Sequence, residues 1–227
     1  KFKDDAESLV TNMFSQSPFL EYADYFNVHI IKVPSNESGA DHPGTAIGEQ
    51  GITPVFKDTY FNATFDAFKI HRFLYYGIDY ADAAAANLKI NAVLTANFPT
   101  YDQVLILVNS TEYGGTGGEF PIASTGFSAN ELAIHELGHS MFNLADEYLV
   151  PDEFYEEAIN MTQEMNPSSI KWKNWVDSNG VDIFPYGTSG VAASWYKPRH
   201  KECKMELLDK PFCSVCKEGM VERIHDL

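Results

Sequence analysis

Residues 128–142 read Ser-Ala-Asn-Glu-Leu-Ala-Ile-His-Glu-Leu-Gly-His-Ser-Met-Phe. Ser128, with Glu131 three residues later, forms the Ser-x-x-Glu pattern of a capping box, which predicts a helix over this stretch. His135 and His139 are four residues apart and therefore lie one turn apart on the same helix face. The stretch predicts a helix that offers two imidazoles to a single metal ion.

Glu136 follows the first of these histidines, which completes a His-Glu-x-x-His pattern. Zinc accepts neutral imidazole nitrogen, and a catalytic zinc ion keeps one coordination position open for water. In this pattern the glutamate acts as the general base that takes a proton from that water. The alternative is that both histidines are core residues satisfied by ordinary neighbours. We favour the metal interpretation because the helix follows a predicted buried strand and a glycine-rich segment.

A third protein ligand is expected soon after the helix, where Asp146 and Glu147 follow each other. Asn143 suits the required turn, because Asn tolerates the left-handed backbone better than most residues. Adjacent residues of an extended segment point in opposite directions, so one carboxylate should bind the metal and the other a neighbouring loop. Three other histidines have no spacing partner and are interpreted as surface or core residues: His71, His200 and His225.

The composition excludes several classes of protein. The chain has 227 residues, of which 44% are hydrophobic and 14% aromatic, enough for one compact domain or one domain in two lobes. The formal net charge of −16 argues against binding of nucleic acid or of an anionic membrane. Apolar runs such as Val104–Val108 are far shorter than the roughly 18–20 residues of a membrane-spanning helix. We expect no membrane insertion and a monomeric catalytic domain.

Hydrophobic periodicity predicts an α+β fold. The predicted helices cover Asp4–Phe14, Asp79–Phe98, Ala129–Phe142 and Lys217–Ile224. The predicted strands are Asn27–Val33, Asp102–Asn109, which is apolar on both faces and hence expected at the centre of a sheet, and an edge strand at Phe120–Thr125. Pro34–Gly51 is expected to be a loop, and the chain beyond Tyr148 is expected to be irregular.

The three cysteines, Cys203, Cys213 and Cys216, come late in the chain. The pair at 213 and 216 has the spacing of a redox pair or of half a zinc site, but no second cysteine pair accompanies it. Two interpretations stay open: a disulfide from Cys203 to one of the other two, or three reduced thiols.

Several motifs resemble the IgA peptidase family of zinc metallopeptidases, which are relatives of the metzincins. The most specific is the His-Glu-x-x-His pattern followed by Leu144-Ala-Asp-Glu-Tyr148. Other matching segments span most of the chain: Val33–Gly44, Tyr101–Leu105, Asn109–Gly115, Cys203-Lys-Met205 and Phe212–Cys216. The resemblance implies one metallopeptidase domain over residues 1–227, with an upper lobe over about 1–145 that holds a twisted mixed sheet and two long helices, and an irregular lower lobe over about 146–227.

The resemblance also assigns roles to residues. Asp146 becomes the third ligand of one catalytic zinc ion, although the long metzincin pattern would place a His at the position of Ala145. Met205 becomes the methionine of a turn beneath the zinc. Tyr186 and Tyr196 become candidates for stabilising the oxyanion, alongside the alternative that both are packing aromatics.

In the metzincins, an extended substrate pairs with an edge strand of the upper lobe. The segment Gly118–Thr125 is the candidate for that strand, since its glycines permit close backbone approach. A plain flexible loop is the alternative.

The leading functional hypothesis is a secreted, cell-surface or periplasmic zinc endopeptidase. The chain begins with Lys1 rather than Met, so processing before this residue and export both stay open. The alternatives are a zinc amidase that acts on cell-wall or glycopeptide substrates, and a non-catalytic module that binds peptide or glycan.

Overall fold

The computed structural model of the chain describes residues 1–49, 51–149 and 155–227, and it has a mixed α+β architecture that is compatible with a peptidase domain. The helices are α1 (Phe2–Met13), α2 (Tyr80–Asn97), α3 (Ala129–Phe142) and α4 (Ser214–Asp226). The strands are β1 (Ala63–Thr64), β2 (Tyr75–Tyr76), β3 (Ile106–Val108), β4 (Gly115–Thr116), β5 (Ile122–Ser124), β6 (Phe184–Pro185) and β7 (Tyr196–Lys197).

All four predicted helices are confirmed. The helix α2 begins after Asp79, whose side chain accepts hydrogen bonds from the backbone of Ala81 and Asp82, and it ends two residues before Pro99. The helix α3 has the predicted bounds. Its start differs in one detail: Ser128 has φ of +61°, whereas a capping-box residue ordinarily has extended backbone. The helix α4 begins three residues earlier than predicted.

The main sheet corrects the predicted strand order. Its three strands are arranged β3–β5–β4, with β3 and β5 parallel and β4 and β5 antiparallel. The strand predicted at the centre, β3, lies at an edge and covers three residues only. The strand predicted at the edge, β5, lies in the middle and is fully buried. Apolar character on both faces shows burial but does not reveal which neighbours a strand pairs with.

The predicted strand over residues 27–33 is wrong. This segment forms no strand, and Val28 and Ile30 are 47% and 42% exposed. His29 instead stacks on Phe98 with ring centroids 3.9 Å apart. An alternating pattern becomes a strand only where another strand offers a free edge, and none of the strands in the described part of the chain pairs here.

The chain divides into two compact units. Unit 1 comprises Lys1–Asn12 with Asn27–Glu136, and unit 2 comprises Met13–Phe26 with Leu137–Leu227. The division falls inside the continuous helix α3, and the predicted lobes over about residues 1–145 and 146–227 stay a prediction. The metzincin-like arrangement of lobes stays a prediction. No helix in the described ranges has the length and apolar character to cross a bilayer.

Each unit has its own core. In unit 1, α2 packs its buried face onto the region of β2 and β3. The residues of this core include Ala83, Ala86, Ile90, Leu94, Tyr76 and Val108. In unit 2, an aromatic core forms beside the short β6–β7 hairpin, with Tyr186 and Trp195 packed on Tyr155. Among the described residues after Tyr148, only β6, β7 and α4 form strands or an α-helix, which agrees with the expected irregular character of this part of the chain.

Candidate metal centre

The helix α3 ends in a tight turn that reverses the chain. Asn143 has φ of +51°, its N–H donates to the carbonyl of His139 (3.1 Å), and the N–H of Leu144 donates to the carbonyl of Gly138 (3.0 Å). A left-handed residue directly after the last helical turn is a common helix C-cap, and Asn is one of the few residues besides Gly that adopt it readily. This turn brings Asp146 back towards the helix it follows.

His139 is held in a defined orientation and tautomer. Its Nδ1 lies 2.7 Å from the carbonyl oxygen of Leu144. Because a carbonyl only accepts hydrogen bonds, Nδ1 carries the proton, which leaves Nε2 as the ring nitrogen that could bind a metal. That Nε2 lies 3.2 Å from Oδ1 of Asp146. A hydrogen bond to the distal ring nitrogen is the usual way in which proteins orient a metal-binding histidine.

The continuous stretch from His135 to Asp146 brings three potential ligands together. One ligand atom from each of His135, His139 and Asp146 lies within 4.8 Å of the other two. His135 is buried, whereas the side chains of His139 and Asp146 are 21% and 20% exposed. Two imidazoles and one carboxylate form a donor set that suits zinc with one open position. These residues therefore fit the metal ion that the sequence pattern implies.

Glu136 lies beside the sheet edge in unit 1. Its side chain is buried, and a β-carbon built on Gly115 of β4 would lie 3.0 Å from Oε1 of Glu136. The absence of a side chain at Gly115 thus leaves room for the carboxylate. The strand β4, which the sequence did not predict, lies next to the candidate base at one end of the three-stranded order, and its Gly115 also forms an isolated parallel bridge with Phe73.

Met205 is fully buried and packs against α3 within unit 2. A β-carbon on Gly138 would lie 2.9 Å from Sδ of Met205, so glycine is needed for this close approach. The carbonyl of Met205 accepts a hydrogen bond from the N–H of Glu147 (2.8 Å), which ties the segment after Asp146 to this turn. Met205 thus contacts the helix one residue before His139.

Glu147, the competitor for the third ligand position, lies in a different group. Its side chain is fully buried and sits with Cys203, Cys213 and Cys216, one ligand atom from each being within 4.8 Å of the others. Burial raises the pKa of Glu147 above its usual range, and burial likewise raises the pKa of Cys203 to about 12. All three thiols are free, so the structure does not form the disulfide that the sequence left open.

The remaining candidate residues have other contacts. The hydroxyl of Tyr186 donates to the carbonyl of Tyr148 (2.6 Å), and its ring is buried in the core of unit 2. The hydroxyl of Tyr196 lies 3.5 Å from Sδ of Met165. Gly118 lies between β4 and β5 with φ of +102°, and a β-carbon built on it meets nothing within 4 Å. Because β5 is a central strand, the segment Gly118–Thr125 as a whole is not an edge strand, which corrects that prediction.

Two groups of polar contacts, one in each unit, could not be predicted from the sequence. In unit 1, Nε2 of His42 lies 3.3 Å from Glu49 and 3.2 Å from Asp66, and its Nδ1 lies 2.8 Å from Glu112. Burial opposes a charge on His42, but the hydrogen bond with Glu49 and the nearby acidic charges outweigh it and raise the pKa of His42. In unit 2, the buried Asn160 bonds both the N–H and the carbonyl of residue 145. Neither feature has a short-range sequence signal.

A family model described as IgA Peptidase M64 matches residues 1–188. The chain therefore belongs to the IgA peptidase M64 family, as its motifs indicated. It is a peptidase of the metallopeptidase class, a hydrolase that acts on protein or peptide substrates. A search among curated proteins found no match. Met205 and the three cysteines lie after the matched range.

Proposed function

We propose that the protein is a zinc-dependent endopeptidase in which His135, His139 and Asp146 hold one catalytic zinc ion and Glu136 is the general base. The observation that carries this proposal is the convergence of two histidines and one carboxylate on a single helix and the turn after it. When bound, zinc would acidify a water molecule and polarise the carbonyl of the scissile peptide bond.

The remaining steps are carried out by side chains of the protein. Glu136 takes the proton from the attacking water and then delivers it to the nitrogen of the departing amine. The hydrogen bond from His139 to the carbonyl of Leu144 keeps Nε2 directed at the metal position throughout. A positioned general base of this kind contributes roughly 10²–10⁴-fold to the rate.

We further propose that an extended substrate runs alongside β4. Support comes from the contact between Glu136 and Gly115, which lies on β4 beside the base, with Thr116 as the next residue of the strand. The space around Gly118 allows a second chain to approach the backbone closely. Main-chain pairing of this type accepts many sequences, so side-chain pockets would set the specificity.

The test replaces Glu136 with Gln and measures bound zinc and cleavage of a peptide library. We expect bound zinc to be unchanged and cleavage to fall by about 10²–10⁴-fold. Glu222→Gln is the matched control, because it makes the same change at an exposed position of α4, a helix that carries none of the three ligands. Undiminished cleavage by the Glu136 variant would refute its role as base.

The same preparation separates the alternatives. Cleavage of cell-wall peptides but not of the library would instead favour an amidase. Binding of peptides or glycans without turnover by the zinc-loaded protein would favour a non-catalytic module. Export to the cell surface, periplasm or medium is part of the proposal, and fractionation of producing cells tests it.

A further inference from the structure

Unit 2 contains a buried group of side chains that the proposed reaction does not use. It consists of Glu147, Cys203, Cys213 and Cys216, which we call the thiol–carboxylate group. Three of its members are fully buried, and Cys213 is 6% exposed. Four groups that ionise or bind metals thus meet where water is excluded.

The distances from Sγ of Cys216 to the other three ligand atoms match those of a tetrahedral zinc site. Sγ of Cys216 lies 3.6 Å from Sγ of Cys203, 3.5 Å from Sγ of Cys213 and 3.6 Å from Oε1 of Glu147. In a tetrahedral zinc site with ordinary bond lengths, sulfur ligands lie about 3.8 Å apart, and sulfur and carboxylate oxygen about 3.6 Å apart. The three distances from Cys216 therefore agree with the edges of a zinc tetrahedron, and the other three pairs of ligand atoms lie within 4.8 Å of each other.

Within the described part of the chain, one oxygen of the buried Glu147 side chain lacks a hydrogen-bond partner, and a bound cation would take that partner's place. Its Oε1 accepts a hydrogen bond from Asn160 (2.9 Å), whereas Oε2 is buried and has no hydrogen-bond partner among the described residues. A buried carboxylate without full pairing is costly, and coordination of a metal ion removes that cost. The nearby Lys197 donates to the backbone carbonyl of Glu147, and its ammonium lies 2.8 Å from Glu206, so it is already paired with another carboxylate.

The chemistry of the donors favours zinc over other ions. Thiolates select soft or borderline metals, and a tetrahedral set dominated by sulfur is typical of zinc. Cys213 and Cys216 have the two-residue spacing of a zinc half-site and open α4, where the helix N-terminus favours thiolates. A disulfide between any two of the cysteines would leave the third thiol buried beside Glu147.

We propose that Glu147, Cys203, Cys213 and Cys216 bind a second zinc ion, which is structural and separate from the catalytic site. All four positions would be filled by the protein, which leaves no place for water and distinguishes this ion from a catalytic one. The ion would join the segment after Asp146 to the turn that carries Met205, since Glu147 and Cys203 adjoin these features.

Metal analysis of the purified 227-residue chain provides the first test. We expect about two zinc ions per chain, of which a chelator such as 1,10-phenanthroline removes the more exposed one quickly. His139→Ala should retain about one zinc ion, held by the thiol–carboxylate group. Glu147→Gln and Cys203→Ser should each lose zinc from this group, whereas Glu222→Gln on the exposed face of α4 should lose none.

A second measurement needs no variant and stays informative if those variants fail to fold. Cobalt(II) in place of zinc should give intense thiolate-to-metal charge-transfer absorption, which ligation by histidine and aspartate alone cannot produce. A total of about one zinc ion that disappears in His139→Ala would overturn the proposal. So would a native mass lighter by two hydrogens, which marks a disulfide. Because the cobalt signal reports only sulfur ligation, its presence or absence is independent of whether the catalytic proposal holds.

Discussion

Replacing Asn160 with Ala tests whether a single buried amide positions Asp146, the proposed third ligand of the catalytic metal. Asn160 is fully buried. Its Oδ1 accepts from the N–H of Ala145 (2.7 Å), and its Nδ2 donates to the carbonyl of Ala145 (2.8 Å) and to Glu147 (2.9 Å). The amide therefore bonds to the residues on both sides of Asp146, Ala145 and Glu147, and so fixes the direction in which the carboxylate of Asp146 points.

The expected loss of stability in Asn160→Ala follows from the number of hydrogen bonds that the substitution removes. Each hydrogen bond contributes about 1 kcal/mol net, and buried partners left unsatisfied cost more, so Asn160→Ala should lower the free energy of unfolding by roughly 3–4 kcal/mol. Zinc affinity at the catalytic site should fall by about 10–100-fold, as is typical when a residue that orients a metal ligand is removed.

Urea unfolding of the zinc-loaded protein, monitored by tryptophan fluorescence, measures the first quantity, and competition with a zinc indicator measures the second. Asn166→Ala is the matched control, because Asn166 is exposed and its side chain accepts a single bond, from the N–H of Ser168. A loss of less than about 1 kcal/mol in the free energy of unfolding, together with unchanged zinc affinity, would show that Asn160 does not hold Asp146 in place.

Three further predictions concern other parts of the molecule. Gly115→Ala should lower kcat by about tenfold with zinc content unchanged, because its new methyl group would press on the carboxylate of Glu136; unaltered kcat would contradict the contact. Gly219→Ala should destabilise unit 2 by about 1–3 kcal/mol in urea unfolding, since its β-carbon would lie 2.5 Å from a neighbouring isoleucine methyl. The raised pKa of His42 means that its charge stabilises the fold fully below about pH 6, and this stability is lost as the pH rises through the raised pKa. The difference in Tm between wild type and His42→Gln should therefore shrink from pH 5.5 to pH 8, and a constant difference would argue against a protonated His42 held by Glu49.

The features that the sequence predicted correctly depend on neighbouring residues. Asp79 and Pro99 mark the two ends of α2, and the signal lies within a few residues of each end. Likewise, the left-handed turn at Asn143 could be inferred from its position directly after α3 and from the known tolerance of Asn for that backbone.

The features that the sequence missed depend on residues far apart in the chain. The pattern at residues 27–33 was that of a strand, but no local signal shows whether another strand offers an edge to it. The central place of β5 follows from its pairing with β3 and β4, which periodicity does not encode. Glu147 was recognised as a candidate ligand, yet its neighbour Cys216 lies 69 residues further along the chain.

The spacing of the two ligand groups along the chain has a consequence for biogenesis. Because His135, His139 and Asp146 belong to one short stretch, metal capture there closes a small loop and is available to a newly made chain at little entropic cost. A metal shared by Glu147 and Cys216 instead closes a loop of about seventy residues, which restricts the unfolded ensemble much as a long-range crosslink does. Zinc starvation during synthesis would then impair maturation of the second half of the polypeptide before it impairs turnover by enzyme already made.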